Sequence, residues 1–428
     1  MKNIFPLLII LFFAGASTAQ KLSKKEKQIL QIVDKNNPEA LIFLENVVNI
    51  NSGTLNHDGV KAVGLEFDKA FEAIGFETAW KDMPEELNRA GHLFAERKGK
   101  RGKRLLLIGH LDTVFDKDSP FQKMTYQDTI AFGPGANDMK GGNVVALYAL
   151  KALHEAGVLN DAQIIVAYHG DEESAGKPLS ISRKDIIEAA KRSDIALGFE
   201  TSTGFNYATV ARRGSSGWAL KVKGKQAHSS GIFSERTGAG AIFEVGRILN
   251  DFYEQLSDVE LLTFNPGIIS GGTRVEFDPA TSTASSYGKS NIVASEVLIK
   301  GGLRFISEEQ KDSARQVMRE IVANNLPQTS AEITFNDSYP AMPPTEGNIA
   351  LLAQLNQLSL DLGQGEVSAF DPGRRGAADI SFIAQYVDGL DGLGAMGGGA
   401  HSANEFMDLT TFNDLVKRTA LFIYRLTR

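Results

Sequence analysis

The chain has 428 residues, enough for two or three domains, and 43% of them are hydrophobic, so a sizeable core can be buried. Its formal net charge of −7 comes with no cluster of Lys and Arg, which gives no basis for nucleic-acid binding. There is no cysteine, which excludes disulfides and thiolate metal sites; any metal must be held by histidine and carboxylates, a donor set that suits zinc, manganese or cobalt.

Lys2 is followed by an apolar run from Ile4 to Phe13 and then by small residues ending in Ser17-Thr18-Ala19. This is the pattern of a cleavable signal peptide over residues 1–19, too short to span a bilayer. Cleavage is expected after Ala19, giving a mature chain from Gln20 that is exported to a periplasm or outside the cell and keeps no membrane attachment.

Ile29, Ile32, Val33, Leu41, Leu44, Val47 and Val48 repeat at helical spacing, with Pro38 expected to separate two helices. Residues 51–59 read as a loop, 60–74 as a helix, and 77–81 and 92–97 as strands. His57, His92 and His154 are expected to carry no chemistry. The run Leu105-Leu-Leu-Ile-Gly-His-Leu-Asp112 is then a short buried strand ending in two polar groups that point the same way. They sit past its C-terminal end, where open α/β sheets bind ligands.

The turn Gly135-Ala-Asn-Asp-Met-Lys-Gly-Gly142 places Asp138 at the foot of a helix running to about residue 156. A second strand, 162–169, leads to Asp171-Glu-Glu173, three acids that cannot all ionise cheaply without a cation. After a helix over 182–191, a third strand, 195–199, ends at Glu200. Three successive β-loop-α units with polar residues at the strand C-termini predict a parallel sheet flanked by helices. His110, Asp138, Glu173 and Glu200 would converge on one rim.

From residue 212 the pattern changes. A strand at 218–223, a helix over 238–256, strand-like runs around 268, 290–299 and 302–306, a helix over 307–323 and a strand at 331–336 predict a small α+β domain inserted into the larger one. Residues 278–289 read as a hairpin or loop. Pro340-Ala-Met-Pro-Pro344 marks the return. A helix over 349–362, a polar turn at 371–376, a helix opened by Asp379, a strand at 392–396 and a last helix over 409–426 complete the chain. The loop Gly399-Ala-His-Ser-Ala-Asn-Glu405 supplies His401. The expected division is 20–211 and 339–428 for the catalytic domain and 212–338 for the insert.

Taken together, His110-Leu-Asp112, 135–142, Asp171-Glu-Glu173, Glu200, Ala227-His-Ser-Ser230 and 399–405 resemble, in order and spacing, the zinc-dependent exopeptidase family of carboxypeptidase G, aminoacylase and succinyl-diaminopimelate desuccinylase, from about residue 30 to the C-terminus. The resemblance implies a mixed, mostly parallel sheet flanked by helices, with a ferredoxin-like α+β insert serving as lid and homodimer interface. It implies two zinc ions (manganese or cobalt possible): His110 and Glu200 on one, Glu173 and His401 on the other, and Asp138 bridging, with a cis peptide after it. Asp112 would orient His110, Glu172 would be the general base, and His228 would stabilise the oxyanion, reaching into a partner subunit. Asn291 and Arg304 would hold the free carboxylate of a small peptide or N-acyl amino acid substrate. Two departures bear on that contact: Ala294 stands where relatives usually have proline, and the segment before Asn291 is long. Arg213, Arg374 and Arg375 could bind an acidic substrate group or be solvated loop arginines.

Glutamate at position 200 implies, in this family, a carboxypeptidase or deacylase. An aminopeptidase or dipeptidase is the alternative within the family. A non-catalytic relative or an exported solute-binding protein are the alternatives outside enzymes; the former would lack a ligand or the base, and none is missing here.

Overall fold

The computed structural model describes residues 19–428, so the expected leader falls almost wholly outside the described residues. The central sheet has six strands, in the spatial order Glu77–Lys81, His92–Arg97, Ala162–His169, Arg101–His110, Ile195–Gly198 and Asp388–Leu390. The last four are parallel, and the strand His92–Arg97 joins them antiparallel. The central strand is apolar from Leu105 to Gly109, where both of its faces are covered. Leu105 and Leu107 join the core beneath the helices Lys24–Val48, Lys140–Glu155 and Leu409–Leu426. Leu106 and Ile108 point the other way, against Ile186, Ala189 and Ile380. This is the mixed, mostly parallel sheet that the sequence predicts.

The remaining strands and helices depart from expectation in a few places. Pro38 does not divide the first helix, which runs unbroken over Lys24–Val48 from a Ser23–Glu26 capping box. An internal proline costs about 3 kcal/mol or more. The buried stripe of Ile29, Val33, Ala40, Leu44 and Val47 continues in phase across it, and each large apolar side chain gains roughly 1.5–3 kcal/mol on burial, so continuity wins. The second helix starts at His57, inside the expected loop, because the Asn56 side chain caps it by accepting from the Gly59 amide at 3.2 Å. The edge strand is Asp388–Leu390 and not 392–396. The latter segment crosses the strand ends, with the Leu393 and Gly394 amides donating to the carbonyls of Gly198 and Glu200.

The inserted segment forms its own four-stranded antiparallel sheet in the order Thr263–Gly272, Glu296–Phe305, Gly214–Gly224, Thr329–Asp337. The helices Gly240–Leu256 and Glu308–Ala323 pack on it around Trp218, Leu220, Phe252, Ile299, Leu303 and Met318. The runs expected at 290–299 and 302–306 meet in one strand, Glu296–Phe305, which leaves 290–295 outside it. Gly301 reads as a break but is a packing site: a Cβ there would lie 2.3 Å from the Trp218 indole. Residues 274–287 form a hairpin of Arg274–Asp278 with Thr283–Tyr287. The two connections to the larger sheet run side by side, Arg212 and Met342 exchanging backbone hydrogen bonds of 2.9 and 3.0 Å.

Candidate active site

The C-terminal ends of the parallel strands bring the acids and histidines together. His110 ends the central strand and is buried. Its Nδ1 lies 3.0 Å from the Asp112 carbonyl and 3.5 Å from the Asp112 carboxylate, which leaves Nε2 to face the crevice. There it meets Asp138 Oδ1 at 3.3 Å and Glu200 Oε1 at 3.8 Å. His401, from the last loop, meets Asp138 Oδ2 at 3.3 Å and Glu173 Oε2 at 3.0 Å. Asp138 thus offers one oxygen to each imidazole, and the peptide that follows it is cis.

These spacings fit cations. Donors about 2.0–2.2 Å from a tetrahedral zinc stand about 3.3–3.5 Å apart. Two groups, His110 with Glu172 and Glu200, and His110 with Asp138 and Glu173, have ligand atoms within 4.8 Å of one another. The charge balance fits as well. Burial first, and the charge of Glu200 after it, hold the Glu172 carboxyl well above the ordinary range. Burial and then Asp138 push Glu200 up to about 7. Burial also raises Glu173. Hydrogen bonds to Asp138 and Glu173 bring His401 up to about 10. A cluster with more carboxylates than it can ionise is short of positive charge.

The acidic turn after the second strand is built differently from the sequence expectation. Asp171 does not share the metal-facing site: it points inward to Arg183, which is fully buried. Arg183 Nη1 donates to Asp171 Oδ1 at 2.6 Å, and its Nε donates to Asp379 Oδ1 at 2.7 Å. Ser182 Oγ and the Gly176 amide complete Asp171 Oδ2. Asp379 also bonds His169, whose ring packs on buried His92 at 4.4 Å. His92 is therefore part of a polar layer under the site, its pKa held well below the usual value by burial and by His169.

Above this layer the backbone of the turn is clamped. The amides of Glu172 and Glu173 donate to the two oxygens of Asp112, at 3.0 and 3.1 Å, and Thr54 Oγ1 donates to Asp112 Oδ2 at 2.6 Å. Tyr339, in the connection returning from the insert, donates its hydroxyl to the Glu172 carbonyl at 3.0 Å. Glu405 ends the stretch 399–405 and carries no assigned role in the sequence reading. Its Oε1 accepts from the amides of both Asn137 and Asp138 at 2.9 Å and so fixes the bridging residue.

His228, Asn291 and Arg304 are not brought to this cluster within the chain. All three lie in the insert. His228 is exposed and bonds Ser230, Asn291 accepts from the Ser229 amide, and Arg304 is exposed on its strand between Thr263 and Ser215. No hydrogen bond or ion pair among the described residues links them to it. Arg213 and Arg375 are not solvated loop residues. Arg213 donates to the Gly373 carbonyl, and Arg375 to the Thr201 carbonyl, at 2.9 Å each. Burial and neighbouring Arg212 bring Arg375 down to about 10. Arg374 is exposed and lies over the Phe370 ring at 5.2 Å.

Known proteins resemble this chain in sequence and in fold. Carboxypeptidase G2 of Pseudomonas sp. (strain RS-16) is 29% identical over 422 residues, covering 95% of this chain and 93% of the relative. Succinyl-diaminopimelate desuccinylase of Gluconacetobacter diazotrophicus is 24% identical over 401 residues, covering 90% and 97%. The solved structure of aminopeptidase PepT from Bacillus cereus ATCC 10987 matches in fold, with a TM-score of 0.72 at 17% identity over 92% of this chain and 99% of that one. The model of Peptidase family M20/M25/M40 matches residues 106–425, from the central strand to the last helix. With the family matched over that span and the donor cluster held in its crevice, the chain belongs to Peptidase family M20/M25/M40 and is a metal-dependent hydrolase of the peptidase or amidohydrolase kind.

Proposed function

We propose that the protein is an exported dinuclear zinc hydrolase that cleaves an amide or peptide bond next to a free carboxylate, as a carboxypeptidase or an N-acyl amino acid deacylase. The observation that carries the reading is the state of Glu172. Its peptide is clamped from both sides, by Asp112 and Tyr339. Its carboxyl stays without a hydrogen-bond partner among the described residues and lies within ligand distance of His110 and Glu200. A carboxyl so placed, and raised in pKa, suits a general base and then acid.

In this reading His110 and Glu200 would hold one ion, Glu173 and His401 the other, and Asp138 both; manganese or cobalt could take the same donors. The bound ions would acidify a water and polarise the scissile carbonyl. Asp112 keeps His110 in the tautomer that presents Nε2 to the crevice. Glu172 takes the proton from the attacking water and returns it to the leaving nitrogen. The likeness to a carboxypeptidase and a desuccinylase supports a free carboxylate as the recognised feature. The test is a panel of N-acyl amino acids, N-aroyl glutamates and dipeptides with free or blocked ends. Cleavage is expected to require the free carboxylate. A requirement for a free amine instead would move the assignment to aminopeptidase or dipeptidase.

The insert would act as lid and as homodimer interface. Phe233, Ile242, Phe243 and Ile269 are exposed on it, and the strand Thr263–Gly272 is one edge of its sheet, features that invite a second copy. His228, Asn291 and Arg304 would then serve the partner's site. In an isologous dimer, mixing His228→Ala with Glu172→Gln, each inactive alone, is expected to restore about a quarter of wild-type activity, since half the dimers are mixed and carry one complete site. No recovery after verified subunit exchange would place His228 in its own chain's site or outside catalysis.

A further inference from the structure

Three arginines, Arg212, Arg213 and Arg375, gather on the Glu200 side of the cluster with little acid to match them. Arg212 pairs with Asp391 at 2.6 Å, and this is the only ion pair made by Arg212, Arg213, Arg374 or Arg375 among the described residues. Arg212 and Arg213 are spent in part on holding the turn 371–376, through the carbonyls of Gly376 and Gly373. That turn carries Arg375, which donates to the carbonyl of Thr201 at 2.9 Å and to its hydroxyl at 3.4 Å. Thr201 directly follows Glu200, so the guanidinium is fixed beside the proposed metal ligand. Three guanidinium nitrogens here, Nη2 of Arg212 and Nε of Arg213 and of Arg375, are buried without a hydrogen-bond partner. Buried polar groups are ordinarily satisfied. Gly392 lets the backbone approach the guanidinium closely: a Cβ there would lie 3.1 Å from Arg375 Nη2.

We propose that Arg375, backed by Arg212 and Arg213, forms an anion subsite beside Glu200 that takes a second carboxylate of the substrate, besides the one next to the scissile bond. The inference rests on the hydrolase reading above and adds a substrate class to it, dicarboxylic N-acyl or peptide substrates. Guanidinium and carboxylate match in shape and charge, and hydrogen bonds between ionised partners are the strong ones. The second carboxylate belongs either to the side chain of the released amino acid or to the acyl group.

The test is Arg375→Met, with Arg375→Gln as a second variant that can still donate to Thr201 if the first does not fold. Two matched pairs report the two sources: N-acetylglutamate against N-acetylglutamine, and N-succinyl-leucine against N-butyryl-leucine. The variant is expected to lose about 10- to 100-fold in kcat/KM on the dicarboxylate of one pair and less than about twofold on its neutral partner; which pair responds identifies the source. Equal losses on both members of each pair would overturn the proposal and leave Arg375 a structural support of the turn. Calorimetry with glutarate on the metal-loaded protein separates the subsite from the reaction. Binding about tenfold or more weaker in the variant supports the subsite even if none of the four compounds is hydrolysed, a result that would count against the proposed reaction alone. Equal affinity overturns the subsite.

Discussion

Replacing Glu172 by glutamine is expected to lower kcat by about 10²–10⁴-fold, the usual contribution of a general base, while metal content stays at the wild-type level. Glutamine keeps the size of the side chain and the backbone clamp from Asp112 and Tyr339, so the substitution removes the proton acceptor and little else. The alternative role is also defined by the geometry, because Glu172 lies within ligand distance of His110 and Glu200. If the glutamine protein loses an ion along with its activity, Glu172 is a ligand. If it keeps both its metals and its full turnover, the base lies elsewhere. Metal analysis and initial rates on one preparation decide between these outcomes.

The second large effect is on stability. Arg183→Met should destabilise the fold by about 3–5 kcal/mol, the range for breaking a buried ion pair from one side. Arg183 is fully buried between Asp171 and Asp379, and burial of the guanidinium is outweighed by those two carboxylates, which hold its pKa above the ordinary value. Methionine fills much of the volume but leaves both acids without their cation. The damage should reach the site, because Asp171 anchors the turn that carries Glu172 and Glu173; more metal should be needed to reach half activity. Denaturant unfolding with excess zinc measures the first effect, and metal titration of the activity measures the second. Stability within about 1 kcal/mol of wild type would mean that the acids find other partners or take up protons at small cost.

Much of the candidate site is legible because its signals are local. An apolar run ending in His110-Leu-Asp112, repeated by the runs that end near Glu172 and at Glu200, encodes both the parallel sheet and the rim on which ligands collect. Asp138 and His401 lie in glycine-rich turns whose composition marks close backbone approach. What stays hidden depends on partners distant in the chain. Asp171 looks like one acid of three, and nothing near it announces that Arg183 and Asp379, the latter 196 residues beyond Arg183, will enclose it. Glu405 meets Asn137 and Asp138 across 268 and 267 residues. Pro38 and Gly301 carry strong local meanings as breakers, which a continuous buried stripe and the Trp218 ring override. His228, Asn291 and Arg304 match motif positions, yet the single chain leaves them on the insert, away from the cluster; only in the proposed dimer would they serve a site, that of the partner.

The most direct test of the dinuclear site is a zinc titration of the metal-free protein followed by calorimetry. The account predicts about two ions bound per chain, with His401→Ala reducing this to about one tight ion and Asp138→Ala weakening both, and activity returning only as the sites fill. A wild-type protein that binds no zinc, or that is fully active with its chelator-treated cluster empty, would contradict it.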